Sequence, residues 1–214
     1  MDRLDRGHAG TWRWAGGAIA ALALLVAACG GPPARAPDDG VAAPYPYSVY
    51  QIRAGCPMGR TIEYRFEKEG EQPRVERWTF QPLEGGESVK VTTETFDAVG
   101  NPTGPSTTQS AKWTELHEHA RFAKSATTIS NEEVTTPAGT FDSMRYVVAK
   151  GPDETDTFWF ARSLPGPPVK MEIAKGGKTV MTMTMQANRT RTMVNGDVTP
   201  ASPVPATSHA PLAP

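Results

Sequence analysis

From Glu132 to Gln186 the chain runs in short apolar-and-polar alternating segments, and each segment ends at Gly or Pro. Glu132 to Thr136 leads into Pro137-Ala138-Gly139, and Thr140 to Ala149 leads out. Thr155 to Ala161 meets Leu164-Pro165-Gly166-Pro167-Pro168, and Val169 to Lys175, Gly176-Gly177 and a last run through Gln186 follow. Val, Thr, Phe, Tyr, Trp and Met dominate these runs, types that suit a pleated and half-buried surface. Gly and Pro supply the backbone angles of a tight reversal. The pattern predicts two β-hairpins in an antiparallel sheet.

Period two also fixes the register of the last hairpin. A two-residue loop at Gly176-Gly177 sets Ile173 opposite Val180 and Met171 opposite Thr182, with Met181, Met183 and Met185 on the face of Lys170 and Glu172. A slip of one residue sets Ile173 opposite Met181, Met171 opposite Met183 and Val169 opposite Met185, so that the large apolar groups share a face. Because such a slip inverts every side chain, burial selects the second register. The expectation is a loop of odd length, three or five residues, that includes Gly176 and Gly177.

Upstream, Gly59 to Lys68 alternates Ile62, Tyr64 and Phe66 against Thr61, Glu63, Arg65 and Glu67, a half-buried strand. Glu69 to Pro73 turns the chain into a second strand, Arg74 to Gln81, and Leu83 to Gly86 turns it into a third, Ser88 to Ala98. In that third strand Val89 and Val91 face away from Phe96. Gly100 to Ser110 reads as a loop. From Ala111 to Phe122 the period changes: Trp113, Leu116 and Ala120 follow i, i+3, i+7 behind Ser110 as N-cap, predicting a short amphipathic helix packed on the sheet. About seven strands with one or two helices are too few helices for a parallel sheet. The predicted fold class is mainly β (α+β), a curved antiparallel half-barrel with one or two short helices against its concave face.

The ends change the picture. Arg3, Arg6 and Arg13 precede an apolar run, Ala15 to Ala28, that at about 14 residues is short of the roughly 20 a bilayer span needs. A basic start, a short apolar core and small residues before a break are features of a secretory signal over residues 1–28. Val26-Ala27-Ala28-Cys29 resembles the lipobox of bacterial lipoproteins. The resemblance implies lipidation of Cys29, cleavage before it, and membrane anchoring by acyl chains whose buried CH₂ groups contribute about 0.8 kcal/mol each. Gly30 after the cysteine favours the outer membrane, facing the periplasm. An ordinary secretory signal and a retained transmembrane helix are the alternatives. Residues 29–47, rich in Gly, Ala and Pro, read as a tether reaching about 50 Å if extended. Residues 193–214, with Pro200, Pro203, Pro205, Pro211 and Pro214, read as a disordered tail. Residues 48–192 remain, about 145, enough for one domain with a core.

Lys and Arg number 22 against 23 Asp and Glu; without residues 1–28, which hold three basic and two acidic groups, the balance is 19 to 21. A near-neutral chain without a basic patch disfavours nucleic-acid binding. With Cys29 lipidated only Cys56 remains, a packing residue near the start of the domain or, alternatively, a reactive thiol.

A second resemblance rests on Glu133-Val134-Thr135-Thr136-Pro137-Ala138-Gly139-Thr140-Phe141, Phe158-Trp159-Phe160-Ala161 and Gly166-Pro167-Pro168-Val169-Lys170-Met171. Residues 111 to 185 resemble a group of bacterial envelope lipoproteins with a TPAGTF turn, related to the LolA/LolB-like superfamily. The resemblance implies a curved half-barrel whose helices plug an apolar concavity. Its motifs are turns and strands and name no catalytic group.

Candidate chemistry is sparse. Met181-x-Met183-x-Met185, with Met171 across from it, offers soft thioethers for Cu(I), or, as the plainer reading, an unbranched lining for a core or pocket. His117-x-His119, near Glu115 and Glu118, suits a metal on a strand, but on a helix the two diverge by about 200° and read as a solvated face. Glu132 and Glu133 near Arg145 read as cross-strand charges, Asp153, Glu154 and Asp156 as a solvated acidic loop, and Asn188-Arg189-Thr190 as a sequon without meaning in a bacterium. Serine-elbow, Walker, zinc-protease and dinucleotide motifs are absent.

The function expected is that of a lipid-anchored, non-enzymatic envelope protein without cofactor or metal. Its partners are the membrane, through Cys29, and an apolar small molecule or lipid bound among Trp113, Leu116, Trp159, Met171, Ile173, Met181, Met183 and Met185. The rival is a filled scaffold acting through protein partners. A hollow cleft of roughly 300–1,000 Å³ separates the two, and a buried carboxylate or histidine beside it reopens the enzymatic reading.

Overall fold

Nine strands form one open antiparallel sheet in the computed structural model, which describes residues 40–190. They are β1 (Arg60–Lys68), β2 (Arg74–Pro82), β3 (Ser88–Asp97), β4 (Thr107–Lys112), β5 (Thr127–Thr136), β6 (Gly139–Ala149), β7 (Glu154–Ala161), β8 (Lys170–Lys175) and β9 (Lys178–Thr190). Two helices accompany them, α1 (Val49–Gly55) and α2 (Trp113–Glu118), with a 3-10 turn at Lys124–Ala126. The sheet order is β4-β3-β2-β1-β9-β8-β7-β6-β5, two meanders joined where the first strand pairs with the last. The sheet curves but does not close, and β4 and β5 are its free edges. The chain crosses from one edge to the other through α2 and the 3-10 turn, which carries these elements over the concave face. The expected leader, Cys29 and the tail lie outside the described residues.

Alternation decides which face is buried. Along β1, Ile62, Tyr64 and Phe66 turn into the core while Thr61, Glu63 and Arg65 stay half-exposed. Trp78 and Phe80 of β2, Val89 and Val91 of β3, Tyr146 and Val148 of β6, and Phe158 and Phe160 of β7 join them. Burying each large apolar side chain contributes about 1.5–3 kcal/mol. Phe96 takes the opposite face, as its parity requires, where Arg77 lies over its ring at 4.8 Å.

The last hairpin combines both registers considered from the sequence. Ile173 faces Met181 and Met171 faces Met183, and the Met185 amide donates to the Val169 carbonyl at 2.9 Å, so the methionines share the buried face. Yet the loop is the two residues Gly176 and Gly177, with Lys175 paired to Lys178. Both glycines have positive φ, 56° and 75°, which suits a tight two-residue reversal. The odd residue sits inside β9 as a bulge at Val180, between the Ala174–Thr179 and Ile173–Met181 pairs. The Val180 carbonyl accepts from the Glu69 amide at 2.9 Å. Deleting Val180 is therefore expected to leave every methionine on its present face and to cost only that hydrogen bond, about 1 kcal/mol. Deleting Thr182 inverts Met183 and Met185 and abolishes folding; circular dichroism during urea titration compares the two.

Four expectations are corrected. Thr107–Lys112 is a strand paired with β3, not the end of a loop; as an edge strand with little buried surface it carries no apolar alternation. The helix expected over 111–122 is confined to Trp113–Glu118, and Ser110 is a strand residue opposite Lys90. The Glu115 carboxylate caps the helix by accepting from the Lys112 amide at 2.9 Å. Packing starts before residue 48: the Ala43 amide donates to Phe122 and the Lys124 amide to Val41, and Tyr47 is buried with its hydroxyl 2.5 Å from the Ala161 carbonyl. Asp156 is not in a solvated loop but on the buried face of β7, 4 % exposed and opposite Ile173.

Burial lifts the Asp156 pKa above the usual carboxylate range, against the pull of Lys150 with its Nζ 3.6 Å away, and Oδ1 has no hydrogen-bond partner. Because the folded value is raised, its contribution to stability is present below the unfolded pKa, near 3.9, and is lost as pH rises through the folded one. Asp156→Asn is expected to raise the urea midpoint at pH 7 and to leave it unchanged near pH 3.

Candidate functional site

Between the concave face and the helical cover lies a cavity of about 580 Å³. Its floor is sheet: Phe66, Trp78 and Phe80 from β1 and β2, Met181 and Met183 from β9, Met171 from β8, and Phe158 and Phe160 from β7. Its roof is Ile52 of α1, Leu116 of α2, Ala120 and Phe122 after α2, and Pro46 and Tyr47 of the arm before α1. Phe122 stacks on Phe158 with centroids 5.0 Å apart, which fixes one side of the roof to the floor. The arm is fixed by Tyr45, which stacks on His117 at 3.9 Å and donates its hydroxyl to Glu118 at 2.9 Å.

The two ends of the cavity differ. At the end near the β1–β2 turn stand Lys68, Glu71, Arg74 and Glu76, with Thr93, Thr95, His117 and His119 nearby. These charges are mutually engaged: Lys68 binds Glu71, and Arg74 Nε lies 3.1 Å from Glu76. Glu76 is 3 % exposed, and its second oxygen accepts from the Trp78 indole at 3.0 Å. A buried carboxylate beside the cleft is thus present, but both of its oxygens are occupied. At the opposite end the wall is Cys56 and Gly166-Pro167-Pro168. Burial pushes the Cys56 thiol pKa up against the effect of neighbouring Arg60, so the thiol stays protonated and packs. Burial likewise raises the phenols of Tyr47 and Tyr64, whose hydroxyl donates to Pro168.

Of the eight residues expected to line a ligand site, Leu116, Met171, Met181 and Met183 reach the cavity wall. Trp113, Met185 and Ile173 lie on the same side of the sheet but pack into the surrounding core rather than the wall. Trp159 is on the other face, where Lys170 Nζ and the Arg145 guanidinium sit 4.8 and 5.6 Å from its ring centre. Phe158, Trp159 and Phe160 are consecutive and apolar, so sequence parity alone did not say which of them face inward. Sequence reading also missed α1, although Ser48-Val49-Tyr50-Gln51 is a capping box: the Gln51 amide donates to Ser48 Oγ at 3.2 Å and the Ser48 amide to Gln51 Oε1 at 2.8 Å. Of the two histidines read as a solvated face, His119 is exposed as expected, whereas His117 is half-buried and stacked on Tyr45; both border the cavity, one on α2 and one just after it. Among the described residues no cluster of three His, Cys, Asp or Glu side chains is placed to hold a metal, and no helix is long and apolar enough to cross a membrane.

No family model matches the chain, and no curated protein does. Solved structures of MucB resemble it. MucB in complex with MucA(peri) is 10% identical, with a TM-score of 0.47 over 65% of this chain and 53% of that one. The Pseudomonas aeruginosa MucA/MucB complex is 9% identical, with a TM-score of 0.47 over 72% and 62%. MucB alone is 10% identical, with a TM-score of 0.46 over 70% and 62%. The chain therefore spans just over half to three-fifths of the length of these structures.

Proposed function

We propose that this chain is a cell-envelope lipoprotein, anchored through acylated Cys29, that binds an apolar ligand or acyl chain in the concavity of its sheet and catalyses no reaction. One observation carries the binding part: a cavity of about 580 Å³ remains between floor and roof, and its middle is walled by Phe, Trp and Met. That volume is in the range of small-molecule sites, and a scaffold acting only through its surface has no use for such a void. Unbranched thioethers suit a ligand of irregular shape because they re-pack at little cost. Glu76 is ion-paired with Arg74 and holds the Trp78 indole in the floor, so each of its oxygens already has a partner, which favours binding over acid–base work. The anchor rests on the Val26-Ala27-Ala28-Cys29 sequence.

Mass spectrometry of the full chain expressed with its leader tests both parts. Cys29 is expected at the mature N-terminus carrying acyl groups, and an organic extract of the folded mature chain is expected to contain a separate, non-covalently bound long-chain molecule at near-stoichiometric yield. A mature chain that starts elsewhere removes the anchor. A chain that carries no such molecule and binds no fluorescent acyl probe removes the ligand site.

A further inference from the structure

Arg60, the first residue of β1, is 1 % exposed, and every group that binds it is neutral. Nε donates to Asn188 Oδ1 at 2.8 Å, and Nη1 reaches the carbonyls of Gly55 at 2.5 Å and Pro165 at 2.9 Å and the Cys56 sulfur at 3.4 Å. Nη2 is buried with no hydrogen-bond partner. A guanidinium stays protonated at any pH the protein meets. A buried charge without a counter-charge is costly, and four neutral acceptors soften that cost without removing it.

Its position gives the charge a use. Cys56 and Gly166 both line the inner end of the cavity, and both touch the guanidinium; a Cβ on Gly166 would stand 2.9 Å from Nη1. Arg60 does not itself line the cavity; its guanidinium lies behind Cys56 and Gly166, which do. The ionised groups at the other end, Lys68 with Glu71 and Arg74 with Glu76, balance one another in pairs. The uncompensated charge beside the cavity is therefore positive and lies at the end away from that ionised cluster. The apolar wall of Phe158, Phe160, Met171 and Met183 runs between them.

We propose that Arg60 selects the ligand: a long-chain carboxylate whose chain lies along the methionine and phenylalanine wall and whose carboxylate supplies the missing counter-charge at the Cys56–Gly166 end. The inner end is roofed by Ile52, Pro167 and Pro168, which offer no side-chain donors, so a small anionic group suits it and a large polar headgroup does not. This inference rests on the cavity being a ligand site, as proposed above.

The delipidated full chain, titrated with hexadecanoate, its methyl ester and hexadecanol, provides the test. Hexadecanoate is expected to bind about tenfold more tightly than the two neutral chains, the scale of one partly screened charge at close range. Asn188→Asp keeps the shape of the residue and places a carboxylate on Arg60 Nε. It is expected to abolish the preference, leaving the neutral chains bound as before, and to raise the melting temperature because the buried charge is now compensated. Arg60→Met is expected to abolish the preference in the same way if it folds. Equal binding of all three ligands to the natural chain, or a preference that survives Asn188→Asp, overturns the inference alone. Failure of all three to bind overturns it together with the proposed function.

Discussion

Replacing Gly55 by alanine is expected to unseat α1 and to lower stability by about 3 kcal/mol, the upper range for an overpacked site. A Cβ there stands 2.2 Å from the Pro165 carbonyl oxygen and 2.9 Å from its carbon, so backbone would have to move rather than a side chain rotate. The loop that carries Pro165 is fixed at both ends. The Leu164 amide donates to Ala161 at 3.0 Å and the Val169 amide to Trp159 at 2.8 Å, and the Pro165 oxygen itself accepts from Arg60. The Gly55 carbonyl accepts from the same guanidinium, so the clash also strips Arg60 of acceptors. Gly151→Ala is the control: nothing lies within 4 Å of its Cβ, and the change is expected to stay within about 0.5 kcal/mol. Urea denaturation followed by tryptophan fluorescence measures both. A Gly55→Ala chain as stable as the natural one means that α1 does not dock on the β7–β8 loop in solution.

That contact shows where sequence reading stops. Side-chain parity placed Tyr64, Phe66, Met171, Met181, Met183 and Met185 on one face, because in a half-buried strand burial leaves a period-two trace in residue type. It gave the correct facing for the last hairpin and the wrong loop, since a bulge at Val180 uses an ordinary β-branched residue and leaves no mark in composition. β4 left no trace because Thr107, Thr108, Gln109 and Ser110 bury little. α1 was hidden by its single buried residue, Ile52, although its capping box was there to be read. Arg60 was invisible for a different reason. One arginine at the head of a strand looks like a solvated charge, and nothing in the order of residues says that Gly55, Cys56, Pro165 and Asn188 converge on it. The face that floors the cavity was legible; the void was not, because a void is set by how far the cover stands off the sheet.

The stand-off is what Ala120→Trp tests. Ala120 follows α2 in a turn in which its amide donates to the His117 carbonyl at 3.1 Å, and it lines the cavity with the smallest chiral side chain. An indole there is expected to enter the cavity that Ala120 lines and to bury apolar surface inside it. Burial of that size contributes about 1.5–3 kcal/mol in favourable cases, and thermal stability is expected to hold or rise. Affinity for a long-chain ligand is expected to fall at least about tenfold, since the indole and the chain compete for one volume. Thr114→Trp, on the exposed side of α2, adds the same group to the neighbouring helix and is expected to change neither quantity. Loss of stability together with loss of binding means that the space is smaller in solution than the cavity between floor and roof. Unchanged binding in a stable Ala120→Trp chain means that the ligand lies elsewhere on the molecule, and the aromatic floor is then core alone.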